Sequence, residues 1–158
     1  DRIERASLTM TDLTETLLWL NRQQSKSLPM TQVNIGELTQ KLTDELGYLL
    51  TGKKVEVSLR CDDTTALLPE ALCRIIITNL IRNAFQHTHE GGVQIVQSKH
   101  SLRIINENVA SFTNQESQGF GLGLELTERL LKHQCWSYHN AQTEFGHEVE
   151  IKLKASEP

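Results

Sequence analysis

The sequence is short of several things, and each shortage excludes a class. No apolar run approaches the roughly 18 residues that a membrane-spanning helix needs, and the N-terminus has neither the basic nor the apolar region of a signal peptide. Gly 9 and Pro 3 are too few for collagen-like or linker sequence. The three cysteines, Cys61, Cys73 and Cys135, are odd in number and far apart. No C-x-x-C or mixed His/Cys spacing accompanies them, so neither a zinc site nor a disulfide framework is expected, and a reducing compartment is the simplest reading. No basic block is present. With 16 basic against 20 acidic residues and a net charge of −4, a nucleic-acid backbone is not an expected partner. What remains is 158 residues, 38% hydrophobic, long enough to bury a core without staples.

Residues 1–24 stand apart. Ile3, Met10 and Leu17 recur every seven residues, and Ala6, Leu13 and Leu20 repeat the spacing three residues on. Such an a/d seam fits either an amphipathic helix on its own domain or an arm of a helical hairpin or dimer bundle. Residues 25–30, ending Leu28-Pro29-Met30, read as a linker. A second module, 31–156, follows. It opens with a short strand at Thr31–Ile35 and a helix over Ile35–Leu50, stopped by Thr51-Gly52-Lys53. A strand at Val55–Leu59 and a turn at Asp62-Asp63-Thr64-Thr65 come next. Pro69 starts a strongly apolar helix to about His87. Gly91-Gly92 reads as a turn before a hairpin of Val93–Gln97 and Leu102–Ile105. Residues 106–118 are polar and aperiodic. Gly119–Gly123 leads into a helix to about His133, and strands at Trp136–His139 and Val149–Leu153 close the chain. The expected fold is α+β: a two-layer α/β sandwich with a mixed sheet covered by helices on one face, preceded by a helical-hairpin arm.

Three features carry chemistry. On the helix after Pro69, Asn79 and Asn83 are four apart and share a face that Gln86 and His87 continue. Asparagine competes with helical backbone hydrogen bonds, so this stripe is either solvated or satisfied by something specific, such as a hard cation and phosphate oxygens. Gly119-Phe120-Gly121-Leu122-Gly123-Leu124 opens a helix. It is either a flexible loop ending in a cap or a backbone cradle for an anion at a helix N-terminus. The strand Leu102-Arg103-Ile104-Ile105 ends in Asn106-Glu107-Asn108, where a side-chain oxygen can accept from an exocyclic amine or simply begin a turn. The glycine stretch follows a loop and not a strand, which weighs against the Rossmann and P-loop arrangements.

In this order the features resemble the ATP-binding catalytic domain of sensor histidine kinases, which shares its fold with gyrase, the heat-shock chaperone and mismatch-repair ATPases. The resemblance spans roughly residues 30–155. Asn79-Leu80-Ile81-Arg82-Asn83-Ala84 is similar to the N box, Gly119–Leu124 to the second glycine box, and 107–118 to the ATP lid. Residues 1–24 resemble the second helix of the dimerisation and phosphotransfer hairpin, which favours the bundle reading. The resemblance implies ATP and Mg²⁺ as ligands, with Asn83 on the metal and Asn79 supporting phosphates or metal. Gln86 and His87 would lie near the phosphates, Asn106 would read the adenine amine with Asn108 also in the nucleotide site, and Gly119, Gly121, Leu122 and Gly123 would cradle the triphosphate. It further implies a response regulator receiver domain as partner, a homodimer through the hairpin, and a cytoplasmic location as part of an inner-membrane sensor kinase.

Three departures stand out. Asn106 and Asn108 replace an aspartate and a glycine, so Asn106 is a weaker neutral acceptor and Asn108 narrows the base site. The lid is short. Phe145-Gly146-His147 is an imperfect third glycine box. A degenerate nucleotide-binding or signalling domain, with weak or no kinase activity, is the alternative. Neither His89-Glu90 nor His147-Glu148 lies on a heptad helix, so the phosphoacceptor histidine is expected upstream of Asp1, with the chain cut inside the hairpin.

Overall fold

A computed structural model describes residues 29–109 and 121–155. The heptad segment and most of the lid lie outside the described residues. The elements are β1 (Thr31–Asn34), α1 (Ile35–Glu45), a 3₁₀ turn (Gly47–Leu50), β2 (Lys54–Arg60), β3 (Thr65–Leu68), α2 (Glu70–His87), β4 (Glu90–Ser98), β5 (Ser101–Asn108), α3 (Gly121–His133), β6 (Ser137–Gln142) and β7 (Gly146–Lys152).

Five strands form one mixed sheet in the order β2-β4-β5-β7-β6, with only β2–β4 parallel. β1 and β3 make a separate antiparallel pair. The sheet alternates cleanly. Val93, Ile95, Leu102, Ile104, Val149 and Ile151 are buried and face the helices. Arg103 and Glu148 pair on the opposite face, as the period of two requires when one face is solvated.

The helices close the second layer. α1 buries Ile35, Leu38 and Leu42. Its buried Thr39 and Thr43 hydroxyls donate to the carbonyls of Ile35 and Thr39, both at 2.7 Å. Asn34 caps it by accepting from the Glu37 N–H at 2.9 Å. α2 buries Leu72, Ile76, Ile77, Leu80, Ile81, Ala84 and Phe85, and α3 packs against it. At the far end of the sheet, Asp62 accepts from Lys99 N at 2.7 Å, Thr64 N at 3.0 Å and Gln97 Nε2 at 2.9 Å. These donors hold its carboxyl well below the usual carboxylate range and tie the end of β2 to the β4–β5 turn.

The two-layer α+β architecture is as expected, with four local corrections. Helix α1 ends at Glu45 and only a 3₁₀ turn continues it. Pro69 occupies the cap position, one residue before the helix. β3 was not anticipated, because four residues beside a polar turn are too few to display alternation. Gly91-Gly92 is not a turn but the start of β4. Gly91 has φ +154°, and a Cβ there would sit 2.0 Å from the Glu107 carbonyl oxygen, so the glycine serves a close strand approach.

Candidate functional site

One end of the sheet gathers the polar groups of the helix-facing side. Val93, Asn106 and His147 lie in one register row across β4, β5 and β7. Asn106 is 3% exposed, and among the described residues no hydrogen bond engages its side-chain amide. Such a group is uncommon without a partner of some kind. His147 is also buried, and desolvation lowers its pKa. Gly146 opposes this row so closely that a Cβ would lie 1.8 Å from the Asn106 carbonyl oxygen.

Asn108, two residues along β5, is fully committed. Its Oδ1 accepts from the His89 N–H at 2.8 Å and more weakly from Glu90 N–H at 3.4 Å, while Nδ2 donates to the His87 carbonyl at 3.2 Å. The amide latches β5 to the α2–β4 connection. The space it fills is therefore the joint beneath α2, and its orientation is fixed by one acceptor and one donor contact.

α2 packs against β5, and the carbonyl of its last residue, His87, accepts from Asn108 on that strand. Asn79 and Asn83 are half-buried on one face, as the spacing predicts. Asn79 Nδ2 is buried and has no hydrogen-bond partner. An orphaned amide of this kind costs roughly 1–3 kcal/mol unless a ligand completes it. Gln86 and His87 follow. Burial, with the nearby charges of His89, Lys53 and His147, pushes the His87 imidazole down to about 4, so it is neutral at pH 7. Lys53, which the sequence presents only as part of a helix stop, donates from Nζ to the carbonyls of Phe85 at 2.9 Å and Gln86 at 3.3 Å. A cation on the last carbonyls complements the helix dipole.

Of the glycine box, Gly119 lies outside the described residues, whereas Gly121, Leu122 and Gly123 form the first turn of α3. In the first turn of a helix the backbone N–H groups have no intrahelical acceptor. Among the described residues no group of three or more His, Cys, Asp or Glu could hold a metal. A hard cation here would rest on neutral amide oxygens and on the oxygens of its own ligand. The donor set thus fits a magnesium–polyphosphate better than a bare ion. Asn79 and Asn83 share one face of α2, Asn106 lies on the helix-facing side of β5, against which α2 packs, and the Asn108 side chain is bonded to the His87 and His89 main chain. The sequence presents Lys53 only in a helix stop and His147 only in the imperfect third glycine box, and their places here come from cross-element packing.

The fold is that of histidine kinase catalytic domains. The structure is similar to the cytoplasmic segment of histidine kinase QseC, with TM-score 0.68 and 18% identity, over 98% of this chain and 95% of that one. It is similar to Acinetobacter baumannii histidine kinase AdeS, with TM-score 0.73 and 18% identity, over 98% and 81%. The nucleotide-free catalytic domain of histidine kinase ThkA matches with TM-score 0.66 and 13% identity, over 81% and 97%. No protein-family model and no curated protein sequence matches the chain. Among the described residues, no helix is long and apolar enough to cross a membrane.

Proposed function

We propose that this chain is the ATP-binding catalytic part of a two-component sensor histidine kinase. It delivers the γ-phosphate of ATP to a histidine outside the chain, for onward transfer to an aspartate of a response regulator. The observation that carries the reading is the buried, partnerless Asn79 Nδ2 on the same helix face as Asn83. A polyanion with its cation completes that face.

In this reading Asn83 offers its side-chain oxygen to Mg²⁺, and Asn79 offers Nδ2 to a phosphate oxygen. When bound, the metal neutralises charge that develops on the transferring phosphoryl group. The amides of the α3 first turn, at Gly121, Leu122 and Gly123, orient the triphosphate, with Gly119 before them. Lys53, through its place at the α2 terminus, adds positive potential without itself leaving the helix carbonyls. Neutral His87 and Gln86 border the phosphates, and Asn106 meets the base. Positioning and charge neutralisation are the main demands of phosphoryl transfer, and these parts supply both.

Residues 1–24 serve as the second hairpin helix, 25–30 as linker and 31–156 as the ATP-binding domain. A homodimer through the hairpin and a cytoplasmic location belong to the same proposal. A second reading, a degenerate nucleotide-binding or signalling domain, is favoured by the neutral Asn106 and by the commitment of Asn108 to the main chain.

Titrating the 158-residue chain with a fluorescent ATP analogue and Mg²⁺ tests the first reading. Saturable binding that Asn83→Ala weakens by tenfold or more, about 1.4 kcal/mol, is expected. No saturable binding, or equal binding by the variant, refutes it. Under the degenerate reading binding is weak, and Asn106→Asp strengthens it sharply.

A further inference from the structure

We infer that Asn106 makes this site indifferent to whether the purine carries an amino or an oxo group at position 6. The inference rests on the nucleotide-site reading above and deepens it. Asn106 is 97% buried by its 3% exposure, and no described hydrogen bond fixes its amide. Asn108, on the same strand and face, provides the contrast. Its oxygen is pinned by the His89 N–H and its nitrogen by the His87 carbonyl, so it has one orientation only.

An amide is nearly symmetric in shape and antisymmetric in hydrogen bonding: one end accepts, the other donates. Rotating it by half a turn exchanges the two at little steric cost. A 6-amino purine shows a donor at the exocyclic amine and an acceptor at N1. A 6-oxo purine shows an acceptor at the carbonyl and a donor at N1–H. Asn106 Oδ1 and Nδ2 satisfy the first edge in one orientation and the second in the other, with two hydrogen bonds in each case. Neither register neighbour of Asn106 puts a fixed charge beside it. Val93, on one side in the register row, is fully buried and apolar, so it favours neither orientation. His147, on the other side, is buried, and desolvation disfavours its charged form, so it adds no fixed cation beside the base. A carboxylate at this position would be an acceptor alone and would reject the oxo edge by acceptor–acceptor opposition.

The test is competition against a methylanthraniloyl-ATP probe with Mg²⁺ on the full chain. ATP and inosine triphosphate, which differ only along this edge, serve as competitors. In the native chain the two should compete within about threefold of each other, and Asn106→Asp should favour ATP by about tenfold or more. Asn106→Ala, which needs no buried charge to fold, should weaken both competitors by a similar factor. A native preference for ATP above about thirtyfold overturns the inference and leaves nucleotide binding standing. Equal competition that Asn106→Ala does not weaken overturns it too, since the base would then not be read there. Failure of the probe itself to bind saturably removes both this inference and the reading beneath it.

Discussion

Replacing Asn108 by alanine should cost more stability than any other single truncation of a polar side chain at this end of the sheet. The side chain is nearly buried and makes two good hydrogen bonds, from the His89 N–H at 2.8 Å and to the His87 carbonyl at 3.2 Å. The third, from Glu90 N–H at 3.4 Å, is too long to count for much. Alanine leaves one backbone donor and one backbone acceptor without these partners in a part-buried joint, at roughly 1 kcal/mol or more each. The lost packing of the amide adds about 0.5–1 kcal/mol. The sum is about 2–4 kcal/mol, which for a domain of this size lowers Tm by roughly 6–15 °C. Asn108→Asp keeps the acceptor and loses the donor, placing an oxygen against the His87 carbonyl. It should fall between native and alanine near neutral pH. Urea denaturation of the three proteins, followed by circular dichroism, measures this. A loss below about 0.5 kcal/mol for alanine would refute the latch.

Further outcomes follow from the same geometry. Gly146→Ala should destabilise by about 3 kcal/mol or more in the same denaturation assay, because its Cβ meets the Asn106 backbone oxygen at 1.8 Å and no side-chain rotation relieves that. The depressed His87 pKa, about 4 against the ordinary 6.5, means the unfolded chain binds the extra proton first. Stability should therefore fall as pH drops from about 6.5 to 4, by up to about 2 kcal/mol from this group given its partial exposure, and His87→Gln should flatten that slope. Under native conditions a thiol reagent should label the exposed Cys61 and Cys135 and spare Cys73, which is buried with its thiol pushed up to about 12. Unfolding should bring the labelling to all three cysteines.

Much of this fold was legible because its large elements follow one period each. The α2 pattern from Leu72 to Phe85 could bury itself only as a helix, and the alternation in Leu102–Ile105 could bury itself only as a strand. The asparagine stripe was legible for the same reason, since i and i+4 must share a face. Other features depend on what lies across a strand or beneath a helix. Gly91 resembles a turn residue in sequence, yet its requirement is the Glu107 carbonyl, sixteen positions away. Asn108 looks like an obstacle to a base until its partners on the α2–β4 connection are seen. Lys53 reads as a helix stop, but its ammonium caps a helix that ends more than thirty residues later. Such contacts join distant positions through tertiary packing, and local propensity carries no trace of them.

The most direct measurement of the central claim observes the asparagine amides themselves. Side-chain ¹⁵N–¹H resonances of Asn79, Asn83, Asn106 and Asn108 can be assigned by single substitution and followed while ATP and Mg²⁺ are added. The account predicts that Asn79, Asn83 and Asn106 move together and saturate, while Asn108, already committed to the His87 and His89 main chain, moves least. If the first three stay unmoved at millimolar ATP and Mg²⁺, the asparagine face is a structural stripe and the account of this site is wrong.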